Sequence, residues 1–294
     1  MSPYPEPMLE CVPNVSEGRD RAVLDSLARA CGRALLDRHV DTDHHRSVFT
    51  LAGPRPTNAA DAVRYLALAV ADRVDIGDHA GVHPRFGALD VVPFVALDGE
   101  PTITATDAAR DFAGWIASEL SLPVFLYDGA DPDRRTLPDA RRDAFVTRAP
   151  DLGPAIPHPR LGAIAVGARP PLVAVNCELA RDDLALARQL AHAVRERDGG
   201  LPGVRALGLH LESVRRAQVS MNLVALDRTG LQQACERVRE LAHAAGTDVV
   251  RVELVGLVPA AELARCDPAF LAWSRIGRDQ TIDGRLADVP GNYD

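Results

Sequence analysis

The spacing of apolar residues divides the chain into alternating strand-like and helix-like segments. Residues 8–12 form a short apolar run of strand type. A polar Ser16-Glu17-Gly18 turn leads into residues 21–31, where Val23, Leu24, Leu27 and Ala30 fall on one helical stripe. Residues 34–40 and 47–52 predict two strands around a polar turn. Pro56-Thr57-Asn58 opens a long helix whose Val63, Leu66 and Val70 repeat at helical spacing. Residues 89–97 predict a strand in which Pro93 calls for an edge position or a bulge, because proline has no N–H to give to a ladder. A helix over 104–120 and a strand over 123–127 follow.

Residues 128–162 break the pattern. Pro132, Pro138, Pro150, Pro154, Pro157 and Pro159 stand among clustered Asp and Arg. They predict a connecting region with one helix, ending in an ordered Pro/Gly-rich loop of a length that is often functional. Beyond it, 171–176 predicts a strand, and 181–197 a helix with Leu184, Ala187, Leu190, Ala191 and Val194 on one face. Strands over 204–211 and 218–226, a helix over 229–245 striped by Leu231, Ala234, Val238 and Leu241, and a strand over 249–258 complete the run. The order β-α-β-β-α-β is that of a ferredoxin-like unit. The first half reads as the same order with additions. The fold class is α/β (α+β), in two subdomains over residues 1–169 and 170–294.

Composition narrows the chemistry. The formal charge of −8 argues against a general nucleic-acid binder, which needs a basic surface to neutralise phosphates. All 33 basic residues are arginine, so Schiff-base, P-loop and general-base lysines are excluded. Arginine stays protonated and cannot stand in as the base. The five cysteines are scattered without a C-x-x-C pair, which fits a reducing cytoplasm rather than a disulfide framework. No apolar run is long enough to span a membrane, and the N-terminal residues lack signal-peptide character.

Three segments could carry chemistry. Residues 37–46 hold Asp37, His39, Asp41, Asp43, His44, His45 and Arg46. They read either as a ligand- or metal-binding loop at a strand end or as a solvated turn. No H-x-E-x-H or H-E-x-x-H spacing fixes metal ligands on one face. Residues 77–87 place His83 and Arg85 on a Gly-flanked loop, where they could supply a base and an anion clamp, or His83 could merely hold the loop. The strand Gln218-Val-Ser-Met-Asn-Leu223 alternates strictly, with Gln218, Ser220 and Asn222 on a polar face that meets either water or a polar cavity. No Walker loop, G-x-G-x-x-G or G-x-S-x-G is present.

Six segments together resemble the glutamate formimidoyltransferase family. They are Glu10-Cys-Val-Pro-Asn-Val-Ser-Glu-Gly-Arg19, His45-Arg-Ser-Val-Phe-Thr50, the stretch from Gly81 to Phe94 that contains His83-Pro-Arg85, residues 162–169, residues 218–223, and Val252-Glu-Leu-Val-Gly-Leu-Val-Pro259. They stand in family order from Glu10 to Pro259. The resemblance implies transfer of the formimino group of N-formimidoyl-L-glutamate to N5 of tetrahydrofolate, releasing L-glutamate, in histidine breakdown. It implies two subdomains with facing sheets and a folate tunnel between them, lined by Gln218, Ser220 and Asn222. The catalytic histidine of the family falls on His83. Its folate-binding stretch falls on Gly153, Pro154, Ala155, Ile156, Pro157, His158, Pro159, Arg160, Leu161 and Gly162. A cytoplasmic homodimer is expected, with small-molecule substrates, tetrahydrofolate as co-substrate and no metal. A chain ending at Asp294 is expected to be monofunctional, without a cyclodeaminase domain. Relatives often carry Asn-Arg where this chain has His45-Arg46.

That chemistry needs a base to take the N5 proton and an acid for the departing glutamate nitrogen, roles one histidine can fill in turn. Arg46 and Arg85 are candidates for binding carboxylates bidentately, and Arg19 and Arg160 are further ones. Asn14 is a hydrogen-bonding candidate, and Asp37 or Asp41 could orient an imidazole. Three alternatives stand beside it: transfer from N-formyl-glutamate or a related donor on the same site, a folate-binding module with weak catalysis, and a metal-dependent amidine hydrolase on Asp41, Asp43, His44 and His45.

Overall fold

Two sheets, one in each half of the chain, organise the protein. The structure, a computed structural model, describes residues 8–53, 56–77, 79, 85–97 and 103–289. The chain divides into two compact units, with the boundary between Pro170 and Pro171; the second unit spans Pro171–Asp288.

The first unit begins with an interrupted strand, β1 (Leu9–Cys11) and β2 (Asn14–Val15), followed by α1 (Arg21–Ala30). The Asp20 carboxylate caps α1 by accepting from the N–H groups of Ala22 and Val23. Next come β3 (Leu35–Asp41), β4 (Arg46–Gly53), α2 (Pro56–Arg73) and β5 (Leu89–Ala96). In space β3 pairs with β4, β4 with β1 and β2, and these with β5, all antiparallel. That is a ferredoxin-like β-α-β-β-α-β unit. The additions are α3 (Ile103–Glu119), β6 (Val124–Asp128), α4 (Leu137–Asp143) and β7 (Ile164–Ala168), with β7 parallel to both β5 and β6. Leu27, Val63, Leu66, Val70, Phe112 and Ile116 from α1, α2 and α3 pack on Phe49, Leu51, Val92 and Phe94 of the sheet. Ala140 and Leu137 of α4 cover Val91, Tyr127 and Ala165.

Two features add to the sequence expectations. β5 is central and buried along its whole length, so of the two expectations for Pro93 the edge position is excluded and an irregular pairing remains. Its missing N–H is tolerated because the neighbouring strand is interrupted between β1 and β2 opposite it, where Val12 N–H donates to the Pro93 carbonyl at 3.1 Å; the register shift comes further along, at Asn14/Val15 opposite residues 89–91. β7, unforeseen as a strand, lies between β5 and β6. Its small residues suit a strand buried on both faces. At Gly167 a Cβ would stand 2.4 Å from the Tyr127 ring, so the ring needs a glycine beneath it.

The second unit runs β8 (Val173–Leu179), α5 (Leu184–Val194), β9 (Val204–Leu211), β10 (Arg216–Leu223), α6 (Leu231–Ala244) and β11 (Val249–Val255). Its sheet order β11-β8-β10-β9, wholly antiparallel, is again ferredoxin-like. Val219, Met221 and Leu223 of β10 join Val175, Cys177, Leu190, Val194 and Val238 in one core. The short helices α7 (Ala260–Leu263), α8 (Pro268–Ser274) and α9 (Ile282–Ala287) follow; Phe270 of α8 enters that core. Among the described residues no helix is long and apolar enough to cross a membrane.

Candidate active site

The hairpin between β3 and β4 is locked to the turn that follows β2. A Cβ on Gly18 would lie 2.3 Å from the Asp41 carbonyl and 2.5 Å from Arg46 N, so only glycine permits this approach. Glu17 Oε1 accepts from the N–H groups of Arg19 (2.7 Å) and Asp20 (2.9 Å), and lies 3.3 Å from His45 Nε2. Arg19 Nε donates to the Thr42 carbonyl at 3.0 Å.

The two adjacent histidines part company at this turn. His44 is buried, its Nδ1 2.8 Å from Asp41 Oδ2, while its N–H donates to Asp41 Oδ1 at 2.8 Å. Burial would raise the Asp41 carboxyl, but the hydrogen bonds from His44 outweigh that and hold it below its usual range. Asp41 therefore orients His44. His45 takes a left-handed backbone, with φ of 49°, and turns to Glu17 and to His79, its ring centroid 3.9 Å from that of His79. Its imidazole is depressed below the ordinary value, first by burial and then by the cations Arg19 and Arg85, against the pull of Glu17. His45 Nδ1 is buried without a partner among the described residues. Asp37 stands on the same face of β3 as Asp41, opposite Thr50.

Beside this turn lies a network that centres on Asp90. Asn14 Oδ1 accepts from Arg46 Nε (3.0 Å) and Nη2 (2.8 Å), while its own Nδ2 donates to the Val12 carbonyl. Arg46 Nη1 donates to Asp90 Oδ2 at 2.7 Å, Arg141 Nη2 donates to the same oxygen at 2.5 Å, and Phe86 N–H donates to Oδ1 at 2.5 Å. Burial lowers the Arg46 pKa; Asp90 opposes that shift, and the like charges of Arg141 and Arg85 add to it. Arg85 lies against the His79 ring, Nη1 to Nε2 2.7 Å, and His79 Nε2 is 3.0 Å from the His45 carbonyl. The structure thus brings Asn14, His45, Arg46 and Arg85 into one neighbourhood, with Glu17, His79, Asp90 and Arg141 as members the sequence reading omits. A lone carboxylate inside the apolar run 89–97 was the available signal for Asp90, since a buried charge must be paired. His83, with Gly81, Val82 and Pro84, lies outside the described residues.

The loop over 153–162 is anchored at both ends. Gly153 (φ +81°) passes so close to the Leu122 carbonyl that a Cβ would sit 2.2 Å from it. Gly162 (φ +72°) packs on Phe86 and Gly87, where a Cβ would come within 2.4 Å of the Phe86 carbonyl. His158 Nδ1 accepts from the N–H groups of Arg160 (3.2 Å) and Leu161 (3.1 Å), and the Arg160 carbonyl accepts from Ile76 N–H. Between the anchors, residues 153–157 are exposed, Ile156 by 73%. In the second unit Gln218 is buried, Ser220 half-buried and Asn222 exposed along one face of β10. The same face carries Glu178, which accepts from Arg216 Nη1 (3.1 Å) and Arg251 Nη1 (2.6 Å), and Asn176, whose Nδ2 donates to Glu253 at 3.1 Å. Among the described residues no three of His, Cys, Asp and Glu converge as metal ligands.

The comparisons with known proteins agree with this architecture. Residues 8–169 match the family model of the formiminotransferase domain, N-terminal subdomain, and residues 174–276 match that of the formiminotransferase domain. A glutamate formimidoyltransferase of Streptococcus pyogenes serotype M1 is 36% identical over 271 residues, covering 87% of this chain and 90% of that one. One from Thermoplasma acidophilum is 37% identical over 269 residues, covering 86% and 88%. A formimidoyltransferase-cyclodeaminase of Mus musculus is 35% identical over 277 residues, covering 86% of this chain and 50% of that protein. With both units matched and the full-length relatives aligned almost end to end, the chain belongs to the formiminotransferase family of enzymes.

Proposed function

We propose that the protein transfers the formimino group from N-formimidoyl-L-glutamate to N5 of tetrahydrofolate and releases L-glutamate. The observation that carries this reading is the match of both units to the family, together with an arginine-rich neighbourhood in the first unit suited to a dicarboxylic donor. In the proposed reaction N5 attacks the amidine carbon and gives a tetrahedral intermediate. His83 takes the N5 proton and returns a proton to the glutamate nitrogen as its bond to carbon breaks. A histidine near neutral pKa serves both steps. Arg46 and Arg85 would hold donor carboxylates, as guanidinium forks match carboxylate geometry.

The exposed stretch 153–157 between two anchored ends is the proposed folate contact, and Gln218, Ser220 and Asn222 are proposed to meet folate as well. Asp37 and Asp41 would act on the donor side through the hairpin, Asp41 by fixing His44. A place in histidine breakdown, a cytoplasmic setting and a homodimer belong to the same reading. The deciding experiment incubates the protein with tetrahydrofolate and either N-formimidoyl-glutamate or N-formyl-glutamate and follows glutamate release. Release from the formimino donor is expected. Release from the formyl donor alone would transfer the assignment to that substrate, and release from neither would refute the transferase reading.

A further inference from the structure

Asp90 is a fully buried carboxylate at which two guanidinium groups from distant parts of the chain meet. Arg46 arrives from β4 and Arg141 from α4, and both donate to Oδ2. Two cations sharing one oxygen are each attracted to it and repelled by each other, so a second anion nearby would relieve the arrangement. The two arginines differ in how their remaining donors are used. Arg46 gives Nε and Nη2 to Asn14. Arg141 keeps Nε buried with no hydrogen-bond partner, while its Cζ stands 5.7 Å from the centroid of the Phe86 ring.

A buried N–H without an acceptor is unfavourable, and an anion brought to it would supply the missing acceptor. The Nε–Nη edge of a guanidinium accepts a planar carboxylate bidentately. Burial and the like charge of Arg141 both lower the pKa of Arg46, as expected where cations are crowded in a dry place. What sets Arg141 apart is that its unused Nε stands beside a second guanidinium held on the same carboxylate oxygen.

We propose that Arg46 and Arg141, held side by side by Asp90, form a two-arginine clamp for a substrate carboxylate, with Arg141 a binding residue and Asp90 a positioning residue. The clamp rests on the reading that a glutamyl compound is a substrate. Two substrates offer the same chemistry, the glutamyl donor and the glutamyl tail of tetrahydrofolate.

Calorimetric titration of L-glutamate, tetrahydrofolate and tetrahydropteroate into the wild-type chain and into Arg141→Lys and Arg141→Met tests it. The lysine variant keeps a charge for Asp90 and removes the fork, so its urea midpoint should stay at the wild-type value. Weakening of about tenfold or more for L-glutamate in both variants assigns the clamp to the donor. Weakening for tetrahydrofolate but not for tetrahydropteroate assigns it to the folate tail. Wild-type affinity for all three ligands in both variants overturns the clamp, as does an equal loss for tetrahydropteroate or a wild-type chain that binds neither carboxylate ligand. A parallel turnover assay of the wild type separates the two readings. Arg141-dependent glutamate binding without formimino transfer would spare the clamp and sink the reaction, and transfer with unaltered binding in the variants would do the reverse.

Discussion

Arg46 and Asp90 form an ion pair across the sheet of the first unit, Nη1 to Oδ2 2.7 Å, with the carboxylate fully buried. Removing one partner of a buried pair leaves the other desolvated and costs about 3–5 kcal/mol. Arg141 and Phe86 N–H remain on Asp90 when Arg46 is lost, which favours the lower end. Arg46→Met is therefore expected to lower the unfolding free energy by about 3 kcal/mol in urea titration. A loss below about 1 kcal/mol would mean that Arg141 alone satisfies the carboxylate.

The proposed role of His83 makes a kinetic prediction. His83→Ala should retain folate binding and lose turnover by about 10²–10⁴, the usual contribution of a general acid–base. Steady-state kinetics on the variant decide this. Near-normal turnover would shift the proton transfer to another group. His45 would be first in line, because burial lowers the pKa of its imidazole and its Nδ1 is unpartnered among the described residues.

Glu10 on β1 predicts a pH dependence of stability. Burial pushes its carboxyl from an ordinary 4.5 up to about 7, with Arg169 pulling the other way. The native group therefore holds its proton to a higher pH than the unfolded one. Its stabilising contribution is complete below about 4.5 and is lost as pH rises through about 7. The loss is about 3 kcal/mol. Glu10→Gln stays neutral, so the stability difference between variant and wild type should grow in the variant's favour over that window. Urea midpoints at several pH values measure it; parallel curves for the two proteins would show that Glu10 ionises freely.

On β10 the two faces should respond oppositely to substitution. Met221 is 1% exposed in the core of the second unit, and Met221→Ala should cost about 2–5 kcal/mol through the cavity it leaves. Asn222 is exposed, so Asn222→Leu should change stability by no more than about 0.5 kcal/mol. If the polar face meets folate as proposed, that variant binds tetrahydrofolate more weakly. Unchanged affinity would remove Asn222 from the folate contact.

The sequence by itself determined the local elements. Helical stripes such as Leu231, Ala234 and Val238, and the strict alternation of β10, place themselves because a residue's face depends only on its position within a 3.6- or 2-residue repeat. The β-α-β-β-α-β order of each half follows from the same local information. The family motifs also marked Asn14, His45, Arg46 and Arg85, which the fold gathers into one neighbourhood. Tertiary structure decided what depends on pairing across long separations. Pro93 sits in the middle of a sheet because the neighbouring strand breaks opposite it, and the Ala- and Gly-containing segment from Ile164 to Ala168 becomes a central strand because two parallel neighbours bury it. No periodicity could tell that His44 would turn to Asp41 and His45 to Glu17, or that Asp90 would join Arg46 to an arginine 51 positions further along the chain than itself. Those choices belong to buried polar groups, each of which must find its partner wherever the fold brings one within reach.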